Sequence, residues 1–314
     1  MWQLASGVYL GWALGSNDAS NVFGTAVAAR MLRFWTAAIL CSVFVVLGSY
    51  FGGAAGMHTY QELTRSGTNL NTAFLVGLAS ALTVTVMTWK RLPVSTSQAV
   101  VGALIAVGVW QGRVELGVLG KVVACWIGTP IGAMLIVILL YVILASLMNQ
   151  ANLNFFEFDS SVRYGLVISG CYGAYALGAN NVANVTGAFV GEGMLTVEQA
   201  CLVGGLSIAL GIITFSRGVM LTVGQGLVKL DAFCAFLVVL SEAITVHLYA
   251  MVGVPVSTSQ AVVGGVIGVG LIKGGRTVNR RVLRNILLAW ISTPVVAFVV
   301  TLLFCWVAKV AGLI

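Results

Sequence analysis

A chain of 314 residues that is 59% hydrophobic and only 8% charged has too few charges to coat a water-soluble globule, where they make up about a quarter of the residues. With a mean hydropathy of +1.02 it reads as an integral membrane protein that inserts through its own apolar segments, with no cleavable leader and no soluble domain expected. The formal charge of +7 comes from 16 Lys and Arg against 9 Asp and Glu; the basic residues sit in short loops without interleaved aromatics, which argues against nucleic acid as a partner.

Apolar segments are predicted at about 2–31, 34–53, 70–89, 93–112 and 116–148. The first is interrupted by Gly15-Ser16-Asn17-Asp18-Ala19-Ser20-Asn21. A helix from Trp2 to Leu14 reaches about 20 Å, short of the roughly 30 Å of hydrocarbon, so the polar motif is expected inside the membrane, on a broken helix. The fourth opens with Pro93-Val94-Ser95-Thr96-Ser97-Gln98-Ala99-Val100-Val101-Gly102. Its proline fixes φ and lacks an N–H, and the hydroxyl residues after it are helix caps. The fifth is long for one crossing and carries Trp126-Ile127-Gly128-Thr129-Pro130, where a kink or tilt is expected.

The join from Asn149 to Ser161 reads as a short hydrophilic loop with an amphipathic piece at the interface. Five further segments follow at about 162–190, 197–216, 231–251, 254–272 and 282–311. The first again contains a polar motif, Gly178-Ala179-Asn180-Asn181-Val182-Ala183-Asn184, and the fourth again starts with the same ten residues, Pro255 to Gly264. The fifth carries Trp290-Ile291-Ser292-Thr293-Pro294. The chain is therefore read as a duplication. The expected fold is all-α and polytopic, with residues 1–150 as an N-terminal repeat and 151–314 as a C-terminal repeat. An odd number of crossings per half turns the second repeat upside down, and broken or re-entrant helices are expected within each. Most lysines and arginines, among them Lys90, Arg91, Lys229, Arg276, Arg280 and Arg281, then fall on the face opposite the termini; Arg65 falls on the termini's side. The positive-inside tendency puts both termini outside the cell membrane. Self-association of the chain is left open.

Helix N-termini expose unpaired N–H groups and partial positive charge, costly in lipid unless an anion or hydroxyl meets them. Two such starts in duplicated halves suggest an anion site built from Ser95, Thr96, Ser97, Ser257, Thr258 and Ser259, against the plainer role of N-capping. Asn17, Asn21, Asn180 and Asn184 offer amide N–H groups to an anion and amide oxygens to a cation; Gln98 and Gln260 are neutral donors or acceptors. Asparagines of this kind also glue helices together. Asp18 and Glu242 lie deep in apolar runs, and an ionisable group at that depth points to function; with Asn181 they are the expected coupling-ion site for Na+ or H+. His247 is not on the helical face of Glu242, and His58 is expected in a solvated loop. An enzyme would need a nucleophile with a base or a metal set; there is no G-x-S-x-G, no H-E-x-x-H, and the two histidines are far apart. The six cysteines stand singly in apolar runs and read as small buried hydrophobes. No cofactor is expected.

Gly15 to Asn21 and Gly178 to Asn184 resemble the twice-occurring G-A-N-D-V-A-N signature of the inorganic phosphate transporter (PiT) family. Pro93 to Gln98 and Pro255 to Gln260 resemble its P-V-S-T-T-H element; Ser216 to Asp231 and the Ser241-Glu242 pair also resemble family stretches. The resemblance covers nearly the whole chain and implies an inverted-repeat symporter moving inorganic phosphate with sodium or protons. Three departures bear on the substrate: Asn181 stands where the family has a second aspartate, Gln98 and Gln260 where it has histidine, and Gly53 near where it has a glutamate. Hydrogen phosphate carries P–OH donors that want acceptors, whereas sulfate carries none. The family includes sulfate permeases, so sulfate is the alternative to a slightly favoured phosphate, and a passive anion channel is a further one. With one carboxylate of the pair replaced, a single coupled cation is expected.

Overall fold

The computed structural model describes residues 2–64, 69–89, 94–114, 116–226, 230–274 and 280–313. Among them the chain forms eleven helices and no strand. The first half contains α1 (Leu4–Ala28), α2 (Phe34–Gly52), α3 (Ala54–Thr64), α4 (Leu70–Trp89), α5 (Thr96–Trp110) and α6 (Leu116–Gln150). The second contains α7 (Phe155–Gly191), α8 (Val197–Gly226), α9 (Ala232–Val252), α10 (Thr258–Ile272) and α11 (Arg280–Val310). Of the residues named from sequence, Pro93, Arg65, Lys90, Arg91, Lys229 and Arg276 lie outside the described residues, as do the side chains of Arg280 and Arg281 and those of the Thr222 to Gly226 stretch.

Sequence position matches α1 to α7, α2 to the first part of α8, α4 to α9, α5 to α10 and α6 to α11. The packing follows the same exchange. A Cβ on Gly15 of α1 would lie 2.0 Å from the Ile208 carbonyl oxygen of α8, and one on Gly178 of α7 would lie 2.1 Å from the Val45 carbonyl oxygen of α2. Likewise a Cβ on Gly102 of α5 would meet the Pro294 oxygen of α11 at 2.3 Å, and one on Gly264 of α10 the Pro130 oxygen of α6 at 2.1 Å. Each close approach of two backbones requires glycine, and each joins one half to the other.

Three expectations are corrected. Neither polar motif breaks its helix: α1 (25 residues) and α7 (37 residues) run through them without interruption. The reason lies in the side chains, which bond the helix's own carbonyls. Ser16 Oγ donates to Trp12 O at 2.7 Å, Ser20 Oγ to Asn17 O at 2.7 Å and Asn181 Nδ2 to Leu177 O at 3.1 Å, so the polar groups are satisfied without opening the backbone. The join between halves is not an interfacial loop either. Asn154 caps α7 in a reciprocal box with Glu157, accepting from Glu157 N at 3.0 Å while Glu157 Oε2 accepts from Asn154 N at 2.9 Å, and helix continues from Phe155. His58 lies on α3, a helix not expected from sequence; the matching stretch of the second half is the end of α8.

Among the described residues six helices, within α2, α4, α6, α8, α9 and α11, are long and apolar enough to cross a membrane. The outer helices turn apolar side chains outward, such as Ile127, Ile131, Leu135 and Leu139 on α6, the solvation expected of a lipid-facing surface. The helices α5 and α10 have 15 residues each, about 22 Å at 1.5 Å per residue. They start within the protein: Ser95, Thr96, Ser97, Ser257, Thr258 and Ser259 are all buried.

Candidate functional site

The two short helices meet at their N-termini. Ser95 caps α5 by accepting from Gln98 N at 3.3 Å, and Ser257 caps α10 by accepting from Gln260 N at 3.3 Å. One residue past the first turn's start, each chain crosses to the other. Ser97 Oγ donates to Val256 O at 3.0 Å, and Ser259 Oγ donates to Val94 O at 3.3 Å. Each helix tip is thus fastened to the extended residues leading into the other tip. Ser257 and Ser259 hydroxyls also share a hydrogen bond at 2.9 Å.

The polar motifs of α1 and α7 hold this junction from the sides. Asn180 reads both backbone groups of Val256: its Nδ2 donates to Val256 O at 2.8 Å, and Val256 N donates to its Oδ1 at 3.1 Å. Asn184 Nδ2 donates to Ser97 Oγ at 3.0 Å and to Asn181 Oδ1 at 2.7 Å. From α1, Asn21 Nδ2 donates to Thr258 Oγ1 at 3.1 Å, while Asn17 turns to α4 and donates to Thr88 Oγ1 at 2.7 Å. Sequence reasoning missed two members. The hydroxyl of buried Tyr60 donates to Asn184 Oδ1, and Thr88 holds Asn17. Tyr60 sits on the unexpected α3, and Thr88 is one hydroxyl at the end of an apolar run; neither carries a local signal of its partner.

Asp18 hydrogen-bonds the Thr258 hydroxyl, which can donate to the carboxylate while it accepts from Asn21. The other oxygen of Asp18, Oδ1, is buried with no partner among the described residues. Glu242 is 0% exposed and both its carboxyl oxygens lack partners among the described residues. It lies against Gly173 of α7, where Val22 of α1 also packs; Val22 is one helical turn beyond Asp18 on the same face. His247 is not its partner, since its Nδ1 shares a hydrogen bond with the Tyr172 hydroxyl at 2.8 Å.

The donor set suits an anion next to a small hard cation. The N–H groups of Thr96, Ser97, Thr258 and Ser259 precede the first intrahelical bonds and carry the positive ends of two helices. Among the described residues, buried oxygens without partners remain at Thr96 Oγ1, Gln98 Oε1 and Gln260 Oε1 as well as at Asp18 and Glu242. A bare carboxylate at this depth repels an anion and is costly unless a cation or proton joins it. Among the described residues no cluster of His, Cys, Asp and Glu could hold a transition metal.

A sequence profile of the Phosphate transporter family matches residues 14–301, both polar motifs and both capped helix starts included. The chain belongs to that family. It is therefore a multi-pass transport protein and not an enzyme. A candidate phosphate permease of Methanocaldococcus jannaschii is 32% identical over 298 residues, 95% of this chain and 94% of the relative. The sulfate permease CysP of Bacillus subtilis is 27% identical over 287 residues, 90% of this chain and 80% of that protein. Among solved structures, one titled the sodium-dependent phosphate transporter superposes with a TM-score of 0.87 at 23% identity, covering 99% of this chain and 100% of the other. The family member described here thus shares that protein's fold over its length.

Proposed function

We infer that this member of the phosphate transporter family is a secondary active symporter. It carries a tetrahedral inorganic oxyanion, inorganic phosphate first, across the cell membrane together with Na+ or H+. The observation that carries the reading is the junction itself: two positively polarised helix tips fastened to each other in the protein interior, with an unpartnered oxygen of Asp18 beside Thr258. Ser95, Thr96, Ser97, Ser257, Thr258 and Ser259 hold the anion, with Asn21, Asn180, Asn184, Gln98 and Gln260 completing the cage; Asn17, whose amide is bonded to Thr88 of α4, joins it by turning back when the anion enters. Asp18, Asn181 and Glu242 serve the coupling ion; in the favoured arrangement cation and anion each lower the other's Coulomb cost. The sodium dependence in the structural neighbour's title supports Na+. Residues 1–150 and 151–314 act as inverted repeats that rock about this junction, a reading supported by the mirrored glycine contacts, with both termini outside the cell.

Sulfate is the second reading, and one observation favours it. The amide of Asn181 is engaged within α7, donating to Leu177 O and accepting from Asn184, so it offers a P–OH group no charge and an oxygen already in use as an acceptor. Uptake of labelled phosphate and labelled sulfate into proteoliposomes, each competed by the other, with sodium and pH gradients imposed separately, decides among these. The expected result is accumulation of phosphate above its outside concentration when a sodium or proton gradient is present. Flux that follows the anion's own gradient and ignores both cations would make the protein a passive channel.

A further inference from the structure

Two mirrored tryptophans, which the site does not use, stand beside its two glutamines. Among the described residues Trp126 Nε1 and Trp290 Nε1 are buried indole donors with no partner, and Gln98 Oε1 and Gln260 Oε1 are buried acceptors with no partner. Helical register sets them at matching levels on touching helices. The α6 and α10 backbones touch at Pro130 and Gly264, and again at Met134 and Gly268, so the two helices run in the same direction in step. One turn earlier on the same two faces stand Trp126 and Gln260. In the mirrored contact between the halves, α11 and α5 touch at Pro294 and Gly102, and one turn earlier in the same register stand Trp290 and Gln98. Trp126 packs on a cluster containing Val101 of α5 and Val254, next to the entrance of α10. Donor and acceptor therefore stand at matching levels on touching helices in both mirrored contacts, without a direct hydrogen bond between them, and a buried polar atom left unpaired carries the full desolvation cost.

We propose that Trp126 and Trp290 are specificity-determining positioning residues: in the loaded site each indole N–H engages the amide oxygen of the glutamine at its level, Gln260 for Trp126 and Gln98 for Trp290, through a bridging water or a turn of the two side chains, and so decides which end of that amide meets the anion. With the oxygen held by the indole, the glutamine presents its NH2 group. That end donates only, and it serves a fully deprotonated dianion better than a protonated one. With the oxygen released, the amide can turn and accept a P–OH proton, which hydrogen phosphate offers and sulfate does not. The indole and not the glutamine alone then sets the balance between the two oxyanions. This inference rests on the oxyanion reading above.

The test compares competition between labelled phosphate and labelled sulfate in proteoliposomes of the wild-type chain and of a Trp126→Phe/Trp290→Phe variant. The phosphate-over-sulfate preference is expected to rise about tenfold, the worth of one added hydrogen bond to a charged ligand. A preference equal to the wild type's would overturn the proposal, because a merely structural tryptophan lowers both fluxes together. If the phenylalanines prevent folding, benzothienylalanine at positions 126 and 290 keeps the bicyclic shape without the N–H and is expected to give the same rise. Loss of both fluxes in that variant too would make the N–H structural and also overturn the proposal. A wild-type chain that moves neither anion would instead remove the oxyanion reading.

Discussion

A Ser97→Ala/Ser259→Ala variant is expected to lose oxyanion uptake by at least about 100-fold while still reaching the membrane. Each hydroxyl now bonds the loop before the opposite helix, at 3.0 and 3.3 Å, and Ser97 also accepts from Asn184. When an anion enters, these protons are the ones that can turn to it. Two hydrogen bonds to a charged group contribute about 3 kcal/mol or more together, which is the stated loss in rate or affinity. Alanine is a good helix former, so α5 and α10 should persist. Initial uptake rates normalised to protein in the vesicle decide it; retention of a tenth or more of wild-type uptake would show that the hydroxyls fasten the halves and do not bind the anion.

Gly264→Val should act on the fold instead. The added Cβ would sit 2.1 Å from the Pro130 carbonyl oxygen and 2.7 Å from its carbon. Both are backbone atoms, so no side chain can swing aside, and α10 must move off α6. The expected cost is about 3 kcal/mol or more, seen as loss of the monodisperse peak in detergent or a large drop in its thermal midpoint. Gly120→Ala on α6, where an added Cβ meets nothing within 4 Å, provides the contrast: it should be neutral or stabilise by up to about 1 kcal/mol through helix propensity. Equal behaviour of the two variants would mean that the close approach of α10 to α6 does not limit stability.

Much of this architecture was legible from residue order. Ten identical residues at two places locate α5 and α10, because a proline followed by hydroxyls is a helix start whatever surrounds it, and sustained hydropathy marks the long apolar helices. The failures share one physical cause. The motifs Gly15 to Asn21 and Gly178 to Asn184 read as breaks because each is a polar, glycine-bounded interruption of an apolar run. In the folded chain those side chains bond carbonyls of their own helix and groups on other helices, an outcome fixed by neighbours and not by local preference. Helix α3 went unseen because its short mixed sequence has no strong period of its own; it is held against α7 and α9, with Thr59 Oγ1 donating to Gly253 O at 2.5 Å. The candidate site residues could be named from their chemistry, but their pairing could not. Ser97 and Val256, or Asn21 and Thr258, are brought together only by the packing of one half on the other.

The most direct measurement is cross-linking of the two tips. In a background with the six native cysteines replaced, Val94→Cys and Val256→Cys, which lead into the two tips and give only backbone groups to the junction, are introduced together and treated with a short bifunctional thiol reagent, with and without saturating phosphate or sulfate. The expected result is a rapid intramolecular cross-link between the halves that the anion slows several-fold and an equal concentration of chloride does not. No cross-link, or one whose rate ignores both oxyanions, would contradict an anion site between the helix tips.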